Sequence, residues 1–170
     1  MLLTTFTQAK SMIVQVGEKA PCFTLYDSEK NKISLSDYNG KKNVLLLFFP
    51  LAFTSVCTVE LCTVRDNIHK YENENVQVLG ISVDSVYSLA KYKQEQQFSY
   101  PLISDFNREA SSAYNVLYPS FSAMEMKGVS KRSAFIIDKA GIIQYAEVLE
   151  KAPDLPDFQA IVSKIQELLR

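Results

Sequence analysis

Two strand-sized apolar runs with an amphipathic stretch between them restrict the fold of this chain more than any other feature of its sequence. Residues 44–49 are apolar without a break and residues 76–83 are mostly apolar, which is typical of strands that are buried on both faces of a sheet. Between them, over residues 61–71, apolar side chains recur every three or four positions, and this spacing predicts a helix with one apolar face. The two strands should therefore pair in parallel through a right-handed helical crossover.

Hairpin signals lie on both sides of this unit. The short runs 22–25 and 32–35 flank a polar turn, and the runs 134–137 and 142–146 flank a turn that ends in Gly141. Each pair predicts a β-hairpin. Together these elements predict an α/β fold, in which a central mixed β-sheet with an N-terminal β-hairpin is flanked by helices on both faces.

Three further helices are predicted from capping residues and apolar spacing. Ser85 suits the N-cap of a helix that runs to about Phe98, and a shorter helix should cover residues 108–114. Apolar residues recur at helical spacing after Pro156, and proline is well tolerated in the first turn of a helix. The sequence shows no repeat, low-complexity tract or linker, so we expect residues 13–170 to form one domain, preceded by a poorly ordered extension over residues 1–12.

The charge balance and the cysteine count exclude several function classes. The 170 residues carry 18 basic and 19 acidic side chains, a net charge of −1, so the chain has no electrostatic footprint for nucleic acid. No apolar run is long enough to span a bilayer, and no basic cluster suits a membrane surface. Three cysteines argue against a secreted disulfide scaffold, and the first residues lack the pattern of a signal peptide. We therefore expect a cytoplasmic protein.

The segment that follows the first buried run carries the clearest chemical signal. Residues 49–62 lead from the predicted strand into the predicted helix and place Cys57 in the first helical turn. The unpaired amide N–H groups and the dipole of a helix N-terminus favour a thiolate, the nucleophilic form of cysteine. Pro50 can shield the sulfur from water, and the Thr54 hydroxyl, which is both a donor and an acceptor, can turn into the same pocket. These residues alone predict an activated cysteine.

The spacing Pro50-x-x-x-Thr54-x-x-Cys57 resembles the active-site signature of the peroxiredoxin family. Residues 132–138 resemble the arginine-bearing strand of that family, and about residues 14–169 can be aligned with it by eye. The resemblance implies a thioredoxin-like fold and a thiol peroxidase that needs no metal, flavin or nucleotide cofactor.

The resemblance also assigns a role to each matching residue. Cys57 matches the peroxidatic cysteine, and Pro50 and Thr54 match its partners in the pocket. Arg132 matches the arginine that stabilises the thiolate and the transition state. Glu60 matches a glutamate or glutamine that orients this arginine.

The reaction that follows from these roles begins with attack of the Cys57 thiolate on one oxygen of hydrogen peroxide or an organic hydroperoxide. The sulfur becomes a sulfenic acid, and water or an alcohol is released. A thiol carrier such as thioredoxin or glutaredoxin would return the cysteine to its reduced state. The resemblance implies a homodimer or a monomer.

Cys62 is the candidate resolving residue. It lies five residues after Cys57, about 140° away around a regular helix, so the two sulfurs cannot bond unless the first turns unwind. Residues 57–62 nevertheless resemble the bacterioferritin-comigratory-protein branch of the family, which implies an intramolecular disulfide after local unfolding. In contrast, residues 50–54, 83–85 and 154–157 resemble the one-cysteine alkyl hydroperoxide reductase E branch, in which an external thiol reduces Cys57.

Other interpretations are weaker. Cys22 stands where the family commonly has an acidic residue, and we expect it to be inert. A metal site at Cys57, Cys62 and His69, the only histidine, lacks the paired short spacings of zinc motifs. A thioredoxin-type disulfide oxidoreductase would need Cys-x-x-Cys and would leave Pro50 and Thr54 without a purpose. The complete set of Pro50, Thr54, Cys57 and Arg132 argues against a non-enzymatic redox sensor or binding module, although peroxidase and sensor roles can coexist.

Overall fold

The computed structural model describes residues 14–169, which form seven strands, five α-helices and one short 3₁₀-helix. The strands are β1 (Thr24–Asp27), β2 (Lys32–Ser34), β3 (Asn43–Phe48), β4 (Val76–Ser82), β5 (Leu102–Ser104), β6 (Ser133–Ile137) and β7 (Ile143–Val148). The helices are α1 (Ser55–Asp66), α2 (His69–Glu72), α3 (Val86–Gln96), α4 (Glu109–Ala113) and α5 (Phe158–Glu167), with the 3₁₀-helix at Leu35–Tyr38.

All seven strands form one mixed sheet in the order β2-β1-β5-β4-β3-β6-β7. β3 pairs in parallel with β4, as the two apolar runs predict, and β4 pairs in parallel with β5. Both terminal hairpins add antiparallel strands, β1 beside β5 and β6 beside β3. The predicted α/β class, the central mixed sheet and the N-terminal hairpin are confirmed.

The sheet has a hydrophobic core on each face. Leu45 and Leu47 of β3 point into a cluster that also contains buried side chains of α1, α2, α3 and α5. Leu46 and Phe48 alternate onto the other face and pack with the 3₁₀-helix, α4 and the residues around β1. Because β3 is covered on both faces, its side chains are apolar almost throughout, and this explains the strength of its sequence signal.

The structure departs from the sequence prediction at three elements. The helix expected over residues 61–71 is two helices, since α1 already begins at Ser55 and a separate α2 follows. Asp157 caps α5 by accepting a hydrogen bond from the Ala160 amide at 2.9 Å, so Pro156 precedes the cap and does not lie in the first turn. β5 was not predicted, because a strand of three residues is too short to show a period.

Other predicted boundaries are close to the observed ones. Ser85 caps α3 by accepting from the Ser88 amide at 3.2 Å, and Gly141 adopts the positive φ of 80° that suits its hairpin turn. The extension predicted over residues 1–12 lies outside the described residues. Within residues 14–169, no helix combines the length and the apolar character needed to cross a membrane.

Candidate active site

The candidate site lies where β3 ends and α1 begins. Phe49 continues the pairing of β3 by donating its amide to the Ile81 carbonyl at 2.9 Å, and Pro50 is buried directly after it. Thr54 takes the N-cap position of α1 with extended backbone angles, so Cys57 is the third residue of the helix and lies in its first turn. The Cys57 side chain is only 2% exposed. The sequence prediction for the position of this cysteine is therefore confirmed.

Hydrogen bonds to the partly buried Asp84 fix the connection between β3 and α1. Asp84, just beyond β4, accepts hydrogen bonds from the Ala52 amide at 2.8 Å and from the Ser82 hydroxyl at 2.7 Å. Phe53, which follows Ala52, has a left-handed φ of 64°, which is unfavourable for a bulky side chain. The ring of Phe53 packs against the ring of Tyr92, with the centroids 4.9 Å apart. The surrounding contacts thus hold a strained backbone beside the cysteine.

The hydroxyl of Thr54 has a defined direction. It donates a hydrogen bond to the Leu51 carbonyl at 2.8 Å and does not cap the helix with its side chain. Because the single hydroxyl proton is already used, the oxygen is left as an acceptor. The sequence allowed Thr54 to act as donor or acceptor, and the structure favours acceptance from an incoming O–H group.

Arg132 joins the site from a distant part of the chain. It immediately precedes β6, is 1% exposed, and points its Nη2 atom at the Cys57 sulfur, 3.5 Å away. Nη2 also donates to the Ala152 carbonyl at 3.1 Å, while Nη1 forms an ion pair with Glu60. Burial alone would lower the pKa of Arg132, but the negative charges of Glu60 and Cys57 outweigh it and raise this pKa, so the guanidinium stays charged.

Glu60 lies one turn after Cys57 and is fully buried. One of its oxygens pairs with Arg132, and the other, Oε1, has no hydrogen-bond partner among the described residues. Burial raises the pKa of Glu60 to about 7, because desolvation of the carboxylate exceeds the opposing effect of Arg132. The sequence predicted contact with the arginine, but it gave no sign that this carboxyl would titrate near neutral pH.

Cys62 faces a different part of the molecule from Cys57. Its partly exposed thiol donates to the Gln96 side chain of α3 at 3.6 Å, whereas Cys57 faces Arg132. Both cysteines lie in the same unbroken helix, and all three cysteines are free, with Cys22 exposed. This geometry agrees with the prediction that the two sulfurs cannot meet while α1 is folded.

Sequence reasoning missed two contributors to the site. Asp84 follows the carboxyl end of β4, where polar residues of parallel sheets often gather, so its position was a usable signal. The carbonyl of Ala152 gave no signal, because its contact with Arg132 depends on the tertiary fold. His69 begins α2 and is exposed. No group of three His, Cys, Asp or Glu side chains in residues 14–169 is arranged to hold a metal ion.

The fold and the site together define a thiol-dependent peroxidase with a thioredoxin-like fold. The profile of the AhpC/TSA family matches residues 16–146. The chain therefore belongs to the AhpC/TSA family.

Relatives named as peroxiredoxins and alkyl hydroperoxide reductases accompany this match. The chain is 42% identical over 147 residues to the chloroplastic 2-cysteine peroxiredoxin of Chattonella marina var. antiqua, covering 81% of this chain and 72% of that protein. It is 39% identical over 138 residues to alkyl hydroperoxide reductase E of Mycobacterium tuberculosis, covering 80% and 86%. The crystal structure of peroxidoxin BcpB from Mycobacterium tuberculosis matches with a TM-score of 0.79 at 25% identity, covering 90% and 97%. Both branches that the sequence resembles are thus represented.

Proposed function

We propose that this protein reduces hydrogen peroxide and organic hydroperoxides through a sulfenic acid at Cys57. The observation that carries the proposal is the guanidinium of Arg132, which lies 3.5 Å from a buried sulfur in the first turn of α1. A cation and a helix N-terminus favour the thiolate, which is the attacking species.

The proposed reaction breaks the peroxide O–O bond. The Cys57 thiolate attacks the terminal oxygen, an S–O bond forms, and the departing oxygen takes a proton to leave as water or an alcohol. Thr54 accepts the O–H of the peroxide and thereby orients it, while Arg132 stabilises the negative charge that develops on the oxygens. Pro50, which is buried and lacks an N–H group, helps to exclude water.

Glu60 acts in this scheme as a positioning residue. Its ion pair with Nη1 leaves Nη2 of Arg132 directed at the sulfur, and the Ala152 carbonyl holds the same nitrogen from another side. An arginine held at both ends of its guanidinium loses little freedom when substrate binds.

For the return step, we propose that Cys62 resolves the sulfenic acid. The Cys62 thiol attacks the sulfur of Cys57–SOH, water leaves, and a disulfide forms that thioredoxin, glutaredoxin or a similar dithiol carrier reduces. The alternative is direct attack by an external thiol on the sulfenic acid. The structure supports that alternative in one respect, because the Cys62 thiol faces Gln96, and not Cys57, while α1 is folded. A cytoplasmic location and a homodimeric or monomeric state remain predictions.

Replacement of each cysteine by serine tests the activity. Cys57→Ser should abolish peroxide consumption without loss of fold, whereas Cys22→Ser, at an exposed cysteine, is a matched control that should retain the wild-type rate. Stopped-flow kinetics with hydrogen peroxide and circular dichroism measure the two quantities. Near-normal turnover by the folded Cys57→Ser protein would contradict the proposal.

The intact mass after one equivalent of peroxide distinguishes the two return steps. Loss of two hydrogens that depends on Cys62 supports the intramolecular disulfide. Persistent addition of one oxygen in the wild-type protein would instead support reduction by an external thiol.

A further inference from the structure

One face of α1 is hydrogen-bonded along its length to α3 and to Tyr100, which lies in the segment between α3 and β5. The face comprises residues one turn apart, and each makes a polar contact. These contacts are Thr58 with the Tyr92 hydroxyl (2.9 Å), the Leu61 carbonyl with the Tyr100 hydroxyl (2.8 Å), the Cys62 thiol with the Gln96 side chain (3.6 Å), and Arg65 with the Gln96 carbonyl (2.6 Å). None of these contacts involves the sulfur of Cys57.

The direction of the Tyr92 hydrogen bond can be deduced. The Thr58 hydroxyl donates to the Thr54 carbonyl at 2.8 Å, so its proton is committed and the Tyr92 hydroxyl must be the donor to Thr58. Burial raises the pKa of Tyr92 to about 12, so this donor keeps its proton throughout the physiological range. Tyr92 also packs against the ring of Phe53, and it therefore contacts residues on both sides of Thr54.

Tyr100 makes a second contact of the same kind. Its buried hydroxyl donates to the Leu61 carbonyl in the middle of α1. Burial raises the pKa of Tyr100 well above the ordinary value, so it too is a neutral donor. A buried hydrogen bond that loses one partner leaves the other group unsatisfied, which makes such contacts costly to break.

We propose that Tyr92 and Tyr100 form a clamp that keeps α1 folded while Cys57 reacts, and that the release of this clamp limits how fast Cys62 reaches Cys57. The second half of the statement rests on the proposed function, in which Cys62 resolves the sulfenic acid. The first half concerns the reduced protein and is independent of it.

The distance along the helix explains why the clamp must open. Five residues of α-helix rise about 7.5 Å, whereas the Cα atoms of a disulfide are at most about 7 Å apart and their Cβ atoms must point towards each other. The segment from Cys57 to Cys62 therefore has to unwind. Thr58 and Leu61 lie inside this segment, so both clamp contacts break in the same event.

The rate of opening has a chemical consequence. While α1 remains closed, Cys57–SOH stays in the pocket, and a second peroxide can oxidise it to the sulfinic acid, which gains one more oxygen as the peroxide is reduced to water or an alcohol. When α1 opens, condensation with the Cys62 thiol releases water and ends this exposure. A tight clamp should thus favour overoxidation, and a weakened clamp should favour the disulfide.

The test uses Tyr92→Phe and Tyr100→Phe in the full chain, with Tyr71→Phe as the matched control. Tyr71 is buried in the same core cluster, and its hydroxyl makes no hydrogen bond within the described residues. Hydrogen–deuterium exchange of the reduced proteins should be about five-fold faster in the α1 amides of each clamp variant. Exchange in β3 and β4 should not change, and Tyr71→Phe should leave α1 exchange at the wild-type rate.

Two further readouts separate the clamp from a general stabilising role. The second-order rate of reaction with hydrogen peroxide should stay within about two-fold of wild type, because α1 remains mostly closed. Disulfide formation, followed by quenched intact mass, should accelerate by the same factor as α1 exchange, and the sulfinic product should decrease.

Each outcome decides one part of the proposal. Unchanged α1 exchange in both clamp variants, or an equal increase across the whole sheet, would overturn the clamp. If α1 exchange increases but no disulfide forms even in the wild-type protein, then the clamp holds the helix and the role of Cys62 in the return step fails.

Discussion

At the scale of single residues, the commitment of the Thr54 proton to the Leu51 carbonyl limits what this side chain can do. A peroxide in the pocket has to donate to Thr54, and this fixes which oxygen faces the sulfur. The hydroxyl therefore acts by orientation, an effect that appears in the rate and not in the ionisation of the cysteine.

Thr54→Val tests this role because valine keeps the shape and removes the hydroxyl. We expect kcat/KM for hydrogen peroxide to fall about 100-fold, while alkylation of Cys57 by iodoacetamide stays near the wild-type rate. Thr54→Ser is the control and should retain most of the activity. An unchanged peroxide rate in the valine variant would show that the acceptor is not used.

Glu60 should make the stability of the protein depend on pH. Its pKa is raised from 4.5 in the unfolded chain to about 7 in the folded protein, so the folded state binds the proton more tightly. Stability from this group is therefore full below about pH 4.5 and is lost as the pH rises through about 7.

Glu60→Gln should remove this dependence. Between pH 5 and pH 7 the free energy of unfolding of the wild-type protein should fall, relative to Glu60→Gln, by on the order of 2 kcal/mol. Urea denaturation at both pH values, monitored by circular dichroism, measures the difference. If the free energy of unfolding changed by the same amount between pH 5 and pH 7 in both proteins, Glu60 would be ionised throughout this range in the folded protein.

At the scale of secondary-structure elements, the end of β4 supports the turn that precedes α1. Asp84 holds the Ala52 amide and the Ser82 hydroxyl, while the neighbouring Ser85 only caps α3. Asp84 contacts the turn before α1, whereas the adjacent Ser85 contacts only α3, so a substitution of Ser85 is a matched control for a substitution of Asp84.

Asp84→Ala should lower kcat/KM for hydrogen peroxide about ten-fold, because the strained backbone at Phe53 loses its support and small misplacements cost rate. Ser85→Ala should cost about 1 kcal/mol of stability through the lost cap and leave the rate unchanged. Steady-state kinetics and thermal unfolding measure both effects. If the two variants had equal kinetics, Asp84 would have no role in positioning the turn.

The same elements show which parts of the site could be read from sequence. The position of Cys57 followed from the end of an apolar run and the start of a helical period, because both signals are local. Arg132 came only from the family resemblance, since its contact with Cys57 joins residues 75 positions apart. The clamp residues Tyr92 and Tyr100 were missed because the contacts of their hydroxyl groups with α1 depend on how the helices pack on the sheet.

At the scale of the whole molecule, the central sheet and its hairpins were more predictable from the sequence than the shortest elements and the helix boundaries. The central strands are covered on both faces, so they are strongly apolar, and the hairpins carried recognisable turns. The short β5 and the break between α1 and α2 were missed, because a three-residue strand and a two-residue interruption leave no periodic trace.

Substitutions in the core beneath α5 should lower the stability of the protein without changing its rate of reaction with peroxide. Ile161 of α5 is fully buried in the core cluster, and α5 packs against α2 and β7. Ile161→Ala should lower the free energy of unfolding by about 2–5 kcal/mol, and Ile161→Val by about 1 kcal/mol. The second-order rate with peroxide at 25 °C should be unchanged in both. A large loss of rate in the folded alanine variant would mean that α5 contributes to the geometry of the pocket.

The tyrosine that donates to Thr58 also gives the protein an intrinsic optical signal. The chain contains nine tyrosines and no tryptophan, so phenol emission is not hidden by energy transfer to indole. When the first turns of α1 unwind, the Tyr92 ring changes from a dry, hydrogen-bonded environment to a wet one. A change in tyrosine emission that is present in the wild-type protein and absent from Tyr92→Phe should therefore report each opening of α1 in real time without an attached dye.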